Sequence, residues 1–427
     1  MKKFVQGTNY NLFERIVMNI KQTVDQTHIR SINQRVILDK ICSDEPISRA
    51  ELARELFISK SAMTENIAAL LNRGIIQEFG EGVSMSSGGR KPILLKFNKT
   101  YQYMIAIELN FEDPIFVLAN LGGEIINKFT VNISNDSPYA TRLELVLNAV
   151  RLLLSSNNLT SGDLAIIAIS CPGIYDPVNR TFFANSNFAN WNMGDFSRQM
   201  EECFGTSVLV VNDVNAAAVG EFTSGAGKNS RDLVYVSGGL GLGAGIILNG
   251  ELYGGSANCA GEIANEITIQ NEMARARGMS FNNLGGSANI HGLTDRICAQ
   301  APQSTRDAFA ALGKSPEKIG FKDIIRVWRD GDPFLKECVD DIAVIIGGSI
   351  SNIVCLLNCD LVIFGGEYTV FHAQMLPIIN RIVRENAFAP VQVIPALLEK
   401  NSGIYGLFAL SKEVIFDRLC NQGHERI

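Results

Sequence analysis

Two short adjoining segments near the N-terminus carry apolar residues at three- and four-residue spacing, which predicts two amphipathic helices joined by a tight turn. The first covers residues 48–59 and the second residues 60–74. The predicted buried faces consist of Ala50, Leu52, Ala53 and Leu56 in the first helix and of Met63, Ile67 and Leu70 in the second. Ser48 and Glu51 have the spacing of a capping box, while Ser59 and Gly74 stand where the second helix should begin and end.

A hairpin pattern follows these helices. Residues 75–79 and 92–97 are predicted strands, and the polar segment 80–90 between them places Arg90 and Lys91 at the tip. This order of elements predicts a winged helix-turn-helix, whose second helix enters a DNA groove. Short polar and basic side chains on that helix reach base edges and phosphates. The predicted DNA-binding residues are Lys60, Ser61, Thr64, Glu65, Asn66, Arg90 and Lys91. The alternative is a helical hairpin with a solvated polar face, and the basic hairpin argues against it.

From residue 103 onward, strand and helix patterns occur in two successive sets. The first set has strands at 103–109, 115–121, 125–131, 165–171 and 208–211, with helices at 139–156 and from 214. The second has strands at 232–237, 243–248 and 360–364 and a helix at 333–357. Repetition of a meander followed by helices predicts a duplicated α/β fold with a cleft between its halves.

The chain divides into parts by these patterns. Residues 1–30 are predicted as an N-terminal helix, 31–97 as the winged domain and 103–427 as the two-lobed body, with 98–102 as a linker. A helical pattern runs through residues 9–42, so its first part is expected to pack on the winged domain or on a partner subunit.

Charge is distributed unevenly over the 427 residues. The first hundred residues carry 15 Lys and Arg against 10 Asp and Glu, a net of +5, whereas the remainder carries 23 against 34, a net of −11. The two parts sum to the overall −6. A basic head on an acidic body fits a head that meets phosphate, although the motif is the stronger argument.

The nine cysteines are scattered and none forms a CxxC pair. Most lie in apolar stretches, for example Cys355, and this predicts buried thiols of a reducing cytoplasm. No apolar run reaches the length of a membrane span, and no signal-peptide core precedes the winged domain. We therefore expect a cytoplasmic protein without a membrane partner.

Longer motifs identify the chain as similar to the ROK family (repressors, open reading frames and sugar kinases), and to its transcriptional regulators in particular. The resemblance covers nearly the whole length. It rests on residues 33–38, 48–53 and 86–92 in the head, and on 171–173, 211–218, 239–250, 260–263 and 362–366 in the body. It implies an actin-like, hexokinase-type (ribonuclease-H-like) ATPase fold of two α/β lobes around a sugar cleft.

The body motifs give candidate effector-binding residues. Asp213 follows a strand and precedes a helix, the place where ligand groups gather in open α/β sheets. The matching Asp of family kinases is the general base toward the sugar hydroxyl, and Asn212 beside it offers further hydrogen-bonding groups. The alternative is that Asp213 only caps the helix, and the two roles can coexist.

Three further residues are assigned to the sugar site by the resemblance. Glu262 resembles a sugar-contacting Glu, and the alternative is a solvated turn residue. Asn187 resembles the Asn of a sugar loop, and the alternative is an ordinary Asn turn. Asn265 stands where relatives carry a His that touches the sugar, and its amide retains a donor.

Two family motifs are degenerate here. Residues 108–114 lack both glycines of the turn that receives ATP phosphates, and the acidic residues 112 and 113 would repel a triphosphate. The glycine-rich residues 237–243 remain, but such repeats also form tight turns without a ligand. The zinc site is missing, since residues 268–292 contain no cysteine and His291 stands alone. No catalytic residue, metal or cofactor is therefore predicted.

The expected protein is a sugar-responsive transcriptional repressor of carbohydrate metabolism, not an enzyme. Its predicted partners are operator DNA, a small sugar effector and further copies of itself in a homodimer or tetramer. Two alternatives stay open: an ATP-dependent sugar kinase with a DNA-binding head, and a ligand-independent regulator whose body only dimerises.

Overall fold

The computed structural model describes residues 26–82, 91–110, 113–134, 136–177, 179–182, 191–266, 283–315 and 318–421. Within these ranges the chain forms a small N-terminal head and a body of two α/β lobes. The helical pattern predicted before residue 26 lies outside the described residues.

The head contains three helices and a three-stranded antiparallel sheet. Its elements are α1 (Gln26–Asp44), β1 (Ile47–Ser48), α2 (Arg49–Glu55), α3 (Lys60–Asn72), β2 (Ile76–Glu81) and β3 (Ile93–Phe97). The strands are ordered β1-β3-β2. Ile37, Leu52, Met63 and Ile67 are fully buried between helices and sheet. This arrangement confirms the predicted winged helix-turn-helix.

The helix boundaries of the head follow the predicted caps. Ser48 and Glu51 form the capping box of α2, with the Glu51 N–H donating to Ser48 Oγ at 3.3 Å. Ser59 Oγ accepts from the Ala62 N–H at 3.3 Å at the start of α3. The predicted burial of Ala50 is wrong, because Ala50 lies on the exposed side of α2 while Leu52 faces the core.

The first lobe of the body is a five-stranded sheet with helices against it. It comprises β4 (Tyr103–Glu108), β5 (Ile115–Asn120), β6 (Ile125–Thr130), α4 (Tyr139–Ser156), β7 (Leu164–Cys171), β8 (Tyr175–Asp176), β9 (Thr181–Phe182), α5 (Met193–Phe204) and β10 (Val208–Asn212). The main sheet has the order β10-β7-β4-β5-β6. Strands β4, β5 and β6 are antiparallel, and β4, β7 and β10 are parallel. The carboxyl ends of β4, β7 and β10 therefore meet at one edge.

The second lobe repeats this topology. After α6 (Asp213–Ser224) come β11 (Leu233–Gly238), β12 (Leu242–Leu248), β13 (Glu251–Leu252), α7 (Leu284–Ala288), α8 (Ile290–Gln300), α9 (Gln303–Ala311), α10 (Phe321–Arg329), α11 (Pro333–Leu357), β14 (Leu361–Gly365), α12 (His372–Asn386), β15 (Gln392–Pro395) and α13 (Ser402–Asn421). Its sheet has the order β13-β12-β11-β14-β15. An antiparallel meander joined to two parallel strands occurs in both lobes, as the duplicated fold predicts.

Helices α6 and α13 cross between the two lobes. Ala106, Ala168 and Ala216 belong to one buried cluster with Ile404 and Leu407 of α13, so α13 packs against the first sheet. The helices touch backbone to backbone, because a Cβ on Gly406 would overlap the Ala216 carbonyl and one on Gly220 would overlap the Ser402 carbonyl. The two helices are thus fixed to each other.

The same cluster continues into the head. Phe416 on α13 packs edge-on against Phe97 of β3, with ring centroids 5.4 Å apart. Residues 98–102, predicted as a linker, are hydrogen-bonded on both sides: the Asn98 N–H donates to Ile75 O at 2.9 Å and the Leu121 N–H to Lys99 O at 2.9 Å. Head and first lobe are therefore in direct contact within the described residues.

Helix α11 corrects the expectation about membrane spans. By length and composition it is able to cross a membrane, and it is the one such helix among the residues described. Its buried residues Ile342, Ile346 and Ile350 lie in the core of the second lobe with Ile379 and Val383 of α12. Burial inside the lobe accounts for its apolar composition.

The cysteines follow the prediction only partly. All nine are free; Cys171, Cys338, Cys359 and Cys420 are buried, as expected of small apolar side chains. Cys355 is exposed, so its predicted burial is wrong: it faces outward from the last turn of α11.

Candidate functional site

The outward face of α3 is polar and accessible. Lys60, Ser61, Thr64 and Glu65 are all exposed. The Thr64 hydroxyl donates to Lys60 O at 2.8 Å, which leaves its oxygen as an acceptor. Glu65 lies 3.5 Å from Arg30 of α1, so its charge is partly balanced. These four predicted residues share one surface that can meet a DNA groove.

Asn66 does not belong to that surface. It is only 3% exposed, and its Nδ2 donates to Ala62 O at 2.8 Å, one turn back along α3. The residue lies beside Met63, Ile67 and Leu70 on the inward face. The expectation that Asn66 faces outward with its neighbours is therefore wrong, because the buried stripe is one residue wider than its apolar members suggest.

The wing hairpin contributes two described basic residues, Lys91 and Lys96. Lys91 is exposed just before β3, and its Nζ lies 3.6 Å from Glu81 across the hairpin. Lys91 thus stands at the base of the wing, whereas Arg90 lies outside the described residues. Close by, Lys96 Nζ lies 3.3 Å from the centre of the exposed Phe79 ring.

Phe57 was missed by the sequence reasoning. It lies in the turn between α2 and α3 with φ of 54° and is 94% exposed. An aromatic ring in this position is able to pack against a sugar or a thymine methyl. Its exposure is not visible in the sequence, where Leu56-Phe57-Ile58 looks like a continuous apolar run.

In the cleft, Asn212 and Asp213 stand at the end of β10. Asn212 Oδ1 accepts from the Asn215 N–H at 3.0 Å, and its Nδ2 donates to Gly173 O at 3.1 Å. Asn212, rather than Asp213, therefore caps α6. Its amide joins β10 to the turn after β7 and holds Asp213 at the sheet edge.

Asp213 is a partly buried residue whose carboxyl has a raised pKa. Burial raises its pKa to about 6, the charges of Glu367 and Glu262 act in the same direction, and backbone donors oppose them. The Val214 N–H donates to Oδ1 at 2.9 Å. The position fits a group that accepts hydrogen bonds from a ligand at the interlobe edge.

A second carboxyl, Glu108, faces the same region at the end of β4. Burial raises its pKa to about 7, Asp213 adds to the rise, and Lys128 opposes it. Its Oε2 is buried without a hydrogen-bond partner among the described residues. From the sequence, Glu108 is expected only as part of a lost phosphate turn; its electrostatic interaction with Asp213 is visible only in the structure.

The remaining predicted effector residues differ in how far they are buried. Glu262 is half-buried before the 3-10 turn Ile263–Asn265, and burial raises its pKa. Asn265 is exposed in that turn. Asn187 lies outside the described residues. Glu262 therefore joins Asp213 in the cleft, whereas the Asn265 side chain is not enclosed there.

Asn110 and Asp113 are hydrogen-bonded to each other after β4, and residues 111–112 between them lie outside the described residues. The Asp113 N–H donates to Asn110 Oδ1 at 2.7 Å, and Asn110 Nδ2 donates to Asp113 O at 2.8 Å. Among the described residues, no three His, Cys, Asp or Glu side chains form a metal-binding group.

Comparison with known proteins identifies both parts of the chain. The ROK family profile matches residues 104–414, and a profile described as winged helix-turn-helix DNA-binding matches residues 30–77. A xylose repressor of Bacillus spizizenii is 26% identical, with 92% of this chain and 98% of the repressor covered. The Escherichia coli transcriptional dual regulator NagC is 23% identical over 92% of this chain and 95% of its own.

Solved structures agree in fold. A ROK family transcriptional regulator, a homologue of the Escherichia coli MLC protein, aligns with a TM-score of 0.75 at 22% identity, covering 92% of this chain and 98% of that one. A ROK family glucokinase from Streptomyces griseus aligns with a TM-score of 0.59 at 23% identity, covering 73% of this chain and 99% of its own. The match of the regulator extends over the head, whereas the kinase corresponds in length to the body. The chain belongs to the ROK family and joins its kinase-like body to a winged helix-turn-helix head.

Proposed function

We propose that this protein is a DNA-binding transcriptional regulator, a repressor of carbohydrate metabolism genes that responds to a small sugar. One observation carries the proposal: the head with its exposed polar face of α3 packs directly on α13, whose other end lies at the cleft. The full-length relatives described above are named as regulators, which supports the same function.

The head is proposed to bind operator DNA through Lys60, Ser61, Thr64 and Lys91, with Phe57 as an additional contact. A two-fold operator requires two heads with half-sites about one helical turn or a multiple apart. We therefore infer a homodimer or tetramer that acts on DNA in the cytoplasm, with no membrane partner. Arg90 stays a proposed DNA contact by sequence alone.

The effector is proposed to bind between the lobes at Asp213 and Glu262. Carboxylates accept hydrogen bonds from sugar hydroxyls, and such charge-assisted bonds are worth roughly 1.5–3 kcal/mol each. Glu108 adds a third acceptor at the same edge. Asn212 is proposed to orient Asp213, while Asn187 and Asn265 remain weaker candidates.

Helices α6 and α13 are proposed to carry the response to the head. Asp213 begins α6, the Gly220 and Gly406 contacts bind α6 to α13, and Phe416 of α13 touches Phe97 of the head. A ligand shifts this system only if it prefers the DNA-free arrangement. Closure of the lobes around a sugar would move α6 and α13 together.

The experiment measures operator affinity by fluorescence anisotropy, with DNA selected from a random pool, across a panel of monosaccharides. We expect one sugar to release the DNA and Asp213→Ala to abolish this release while leaving DNA affinity unchanged. Asp295→Ala, on the surface of α8, is the matched control. Release from Asp213→Ala and Glu262→Ala at the parent sugar concentration would place the effector site elsewhere.

A sugar kinase is the second candidate, because solved neighbours of the body include kinases. The acidic segment 108–114, which lacks both glycines of the phosphate turn, argues against it, since phosphoryl transfer depends on backbone amides and positive charge around the phosphates. We expect no phosphorylation of sugars with ATP and magnesium in a coupled assay, and no stoichiometric zinc by elemental analysis. Turnover that disappears in Asp213→Asn would establish an enzyme instead.

A further inference from the structure

The glycine-rich turn between β11 and β12 presents backbone amides at the cleft. Strand β11 ends at Gly238 and β12 begins at Leu242, so residues 239–241 form a tight connection. Turns of this kind bind anions when their N–H groups point at an open space. A protein group that is bonded to these N–H groups therefore competes with an anionic ligand for the same position.

In this protein the space is filled by one of its own carboxylates. Glu367 follows β14, and its Oε2 accepts from the Leu240 N–H at 3.1 Å. A Cβ on Gly239 would overlap that same oxygen, so the carboxylate lies directly over the turn. The amide that would hold a phosphate oxygen is satisfied by Glu367.

Glu367 is also part of the electrostatic surroundings of Asp213. Its charge raises the pKa of Asp213, as does that of Glu262, and Asp213 in turn raises the pKa of Glu108. The cation that acts on Glu108 is Lys128, whose Nζ donates to Asn401 at 2.8 Å. The charges of Glu367, Glu262 and Glu108 thus all act with that of Asp213, and the buried Glu108 Oε2 has no hydrogen-bond partner among the described residues.

We propose that Glu367 occupies the anion position of the glycine turn and makes the cleft selective for uncharged sugars against phosphorylated sugars and nucleotides. The expected preference for uncharged sugars rests on the proposed function. The expected exclusion of inorganic phosphate by Glu367 does not depend on it. A phosphate entering here must displace Glu367 and approach Asp213 and Glu262, and like charges repel strongly where water is scarce.

The test compares thermal unfolding of the parent, Glu367→Ala and Glu367→Gln with inorganic phosphate, D-glucose, D-xylose and D-glucose 6-phosphate. Glu385→Gln, which removes an exposed carboxylate on α12, is the matched control. In the parent and the control, millimolar phosphate should leave the melting temperature unchanged. Glu367→Ala should gain stabilisation by phosphate, and Glu367→Gln should gain less, because its amide still fills the space.

Sugar binding to the parent and to Glu367→Ala is measured by titration calorimetry. The parent should bind glucose 6-phosphate at least about tenfold more weakly than glucose or xylose. In Glu367→Ala the ratio of the dissociation constants for glucose 6-phosphate and for the neutral sugar should be smaller. Stabilisation of the parent by phosphate, equal binding of glucose and its 6-phosphate, or no gain of phosphate binding in Glu367→Ala would each overturn the inference. Failure of every neutral sugar to bind would contradict the proposed function. The role of Glu367 would then be decided by the thermal unfolding measurements with inorganic phosphate.

Discussion

The carboxyl of Glu108 is held at the end of β4 in a place where its charged form is poorly solvated. Its Oε2 lies within van der Waals reach of Gly403, where a Cβ would stand 3.0 Å away. A side chain at that position would push into the carboxyl. The position of the Glu108 carboxyl therefore depends on the absence of a side chain at Gly403 in the first turn of α13.

The raised pKa of Glu108 predicts a pH dependence of stability. Its pKa rises from the ordinary 4.5 to about 7, so the folded protein binds the proton more tightly than the unfolded chain. The free energy of unfolding contributed by this group is highest below about pH 4.5 and falls as the pH rises to about 7.

Urea unfolding of the parent and of Glu108→Gln between pH 5 and pH 8 measures this contribution. The parent should lose stability relative to the variant over that range, by at most about 3 kcal/mol. Glu144→Gln, on the exposed side of α4, controls for a general change in charge. A constant difference between parent and Glu108→Gln across the range would contradict the prediction.

Among the elements, strong periodicity allowed accurate prediction. The bounds predicted for α4, residues 139–156, and for α11, residues 333–357, are those observed. Both helices have buried apolar residues along their whole length, so the apolar periodicity in the sequence begins and ends where the helix does. Errors arose where a polar residue shares the buried face, as Asn66 does, or where a short segment is packed on both sides, as residues 98–102 are.

The site was less accessible to sequence reasoning. Asp213 and Glu262 stay candidates proposed from their motifs, and the helix N-cap proved to be the neighbouring Asn212. Glu367 was missed as an occupant of the glycine turn because its contact with Leu240 joins residues 127 positions apart. Such a long-range contact leaves no local pattern in the chain.

The geometry of α3 separates the residues proposed to read DNA, which are exposed, from Asn66, which is buried and bonded to its own helix. Ser61→Ala and Thr64→Ala should reduce the preference for operator over random DNA by roughly tenfold each, since a good base contact is worth about 1–3 kcal/mol. Asn66→Ala should leave that preference unchanged and lower stability instead, because its amide is buried. Competition binding with both DNAs measures the ratio; a loss of preference in Asn66→Ala would show that its side chain reaches the bases.

At the scale of the whole molecule, one arginine of the head holds the end of α13. Arg35 of α1 bonds to Asp39 at 2.8 Å, to Asp417 at 2.6 Å and to Glu413, and its guanidinium lies 5.6 Å from the Phe416 ring. The side chain is only 17% exposed. Two acidic residues of α13 are thus paired with the head through a single cation.

Arg35→Ala should weaken the communication between cleft and DNA. The ratio of operator affinities without and with the releasing sugar should fall toward one, because the head loses its Arg35 ion pairs with α13, while the bond from Arg73 to the Leu419 carbonyl remains. Arg198→Ala breaks a similar ion-pair group, with Asp195 and Glu202 on α5, and should keep the parent ratio. Anisotropy titrations give both values; a full sugar response in Arg35→Ala would exclude this route of coupling.

The close crossing at Gly406 divides α13 into a short segment toward the cleft and a long segment toward the head. From Gly406 to Gly403 beside the cleft the helix spans about 4.5 Å, whereas from Gly406 to Leu419 beside the head it spans about 20 Å. If α6 and α13 pivot together about Gly406 relative to the first sheet, a shift of about 0.5 Å at the cleft end becomes roughly 2 Å at the head. Helix shifts of about 1–2 Å at interfaces are of the size that separates two functional states. Under the proposed function, a ligand that moves the cleft end by less than a bond length would therefore be enough to displace the proposed DNA-binding surface.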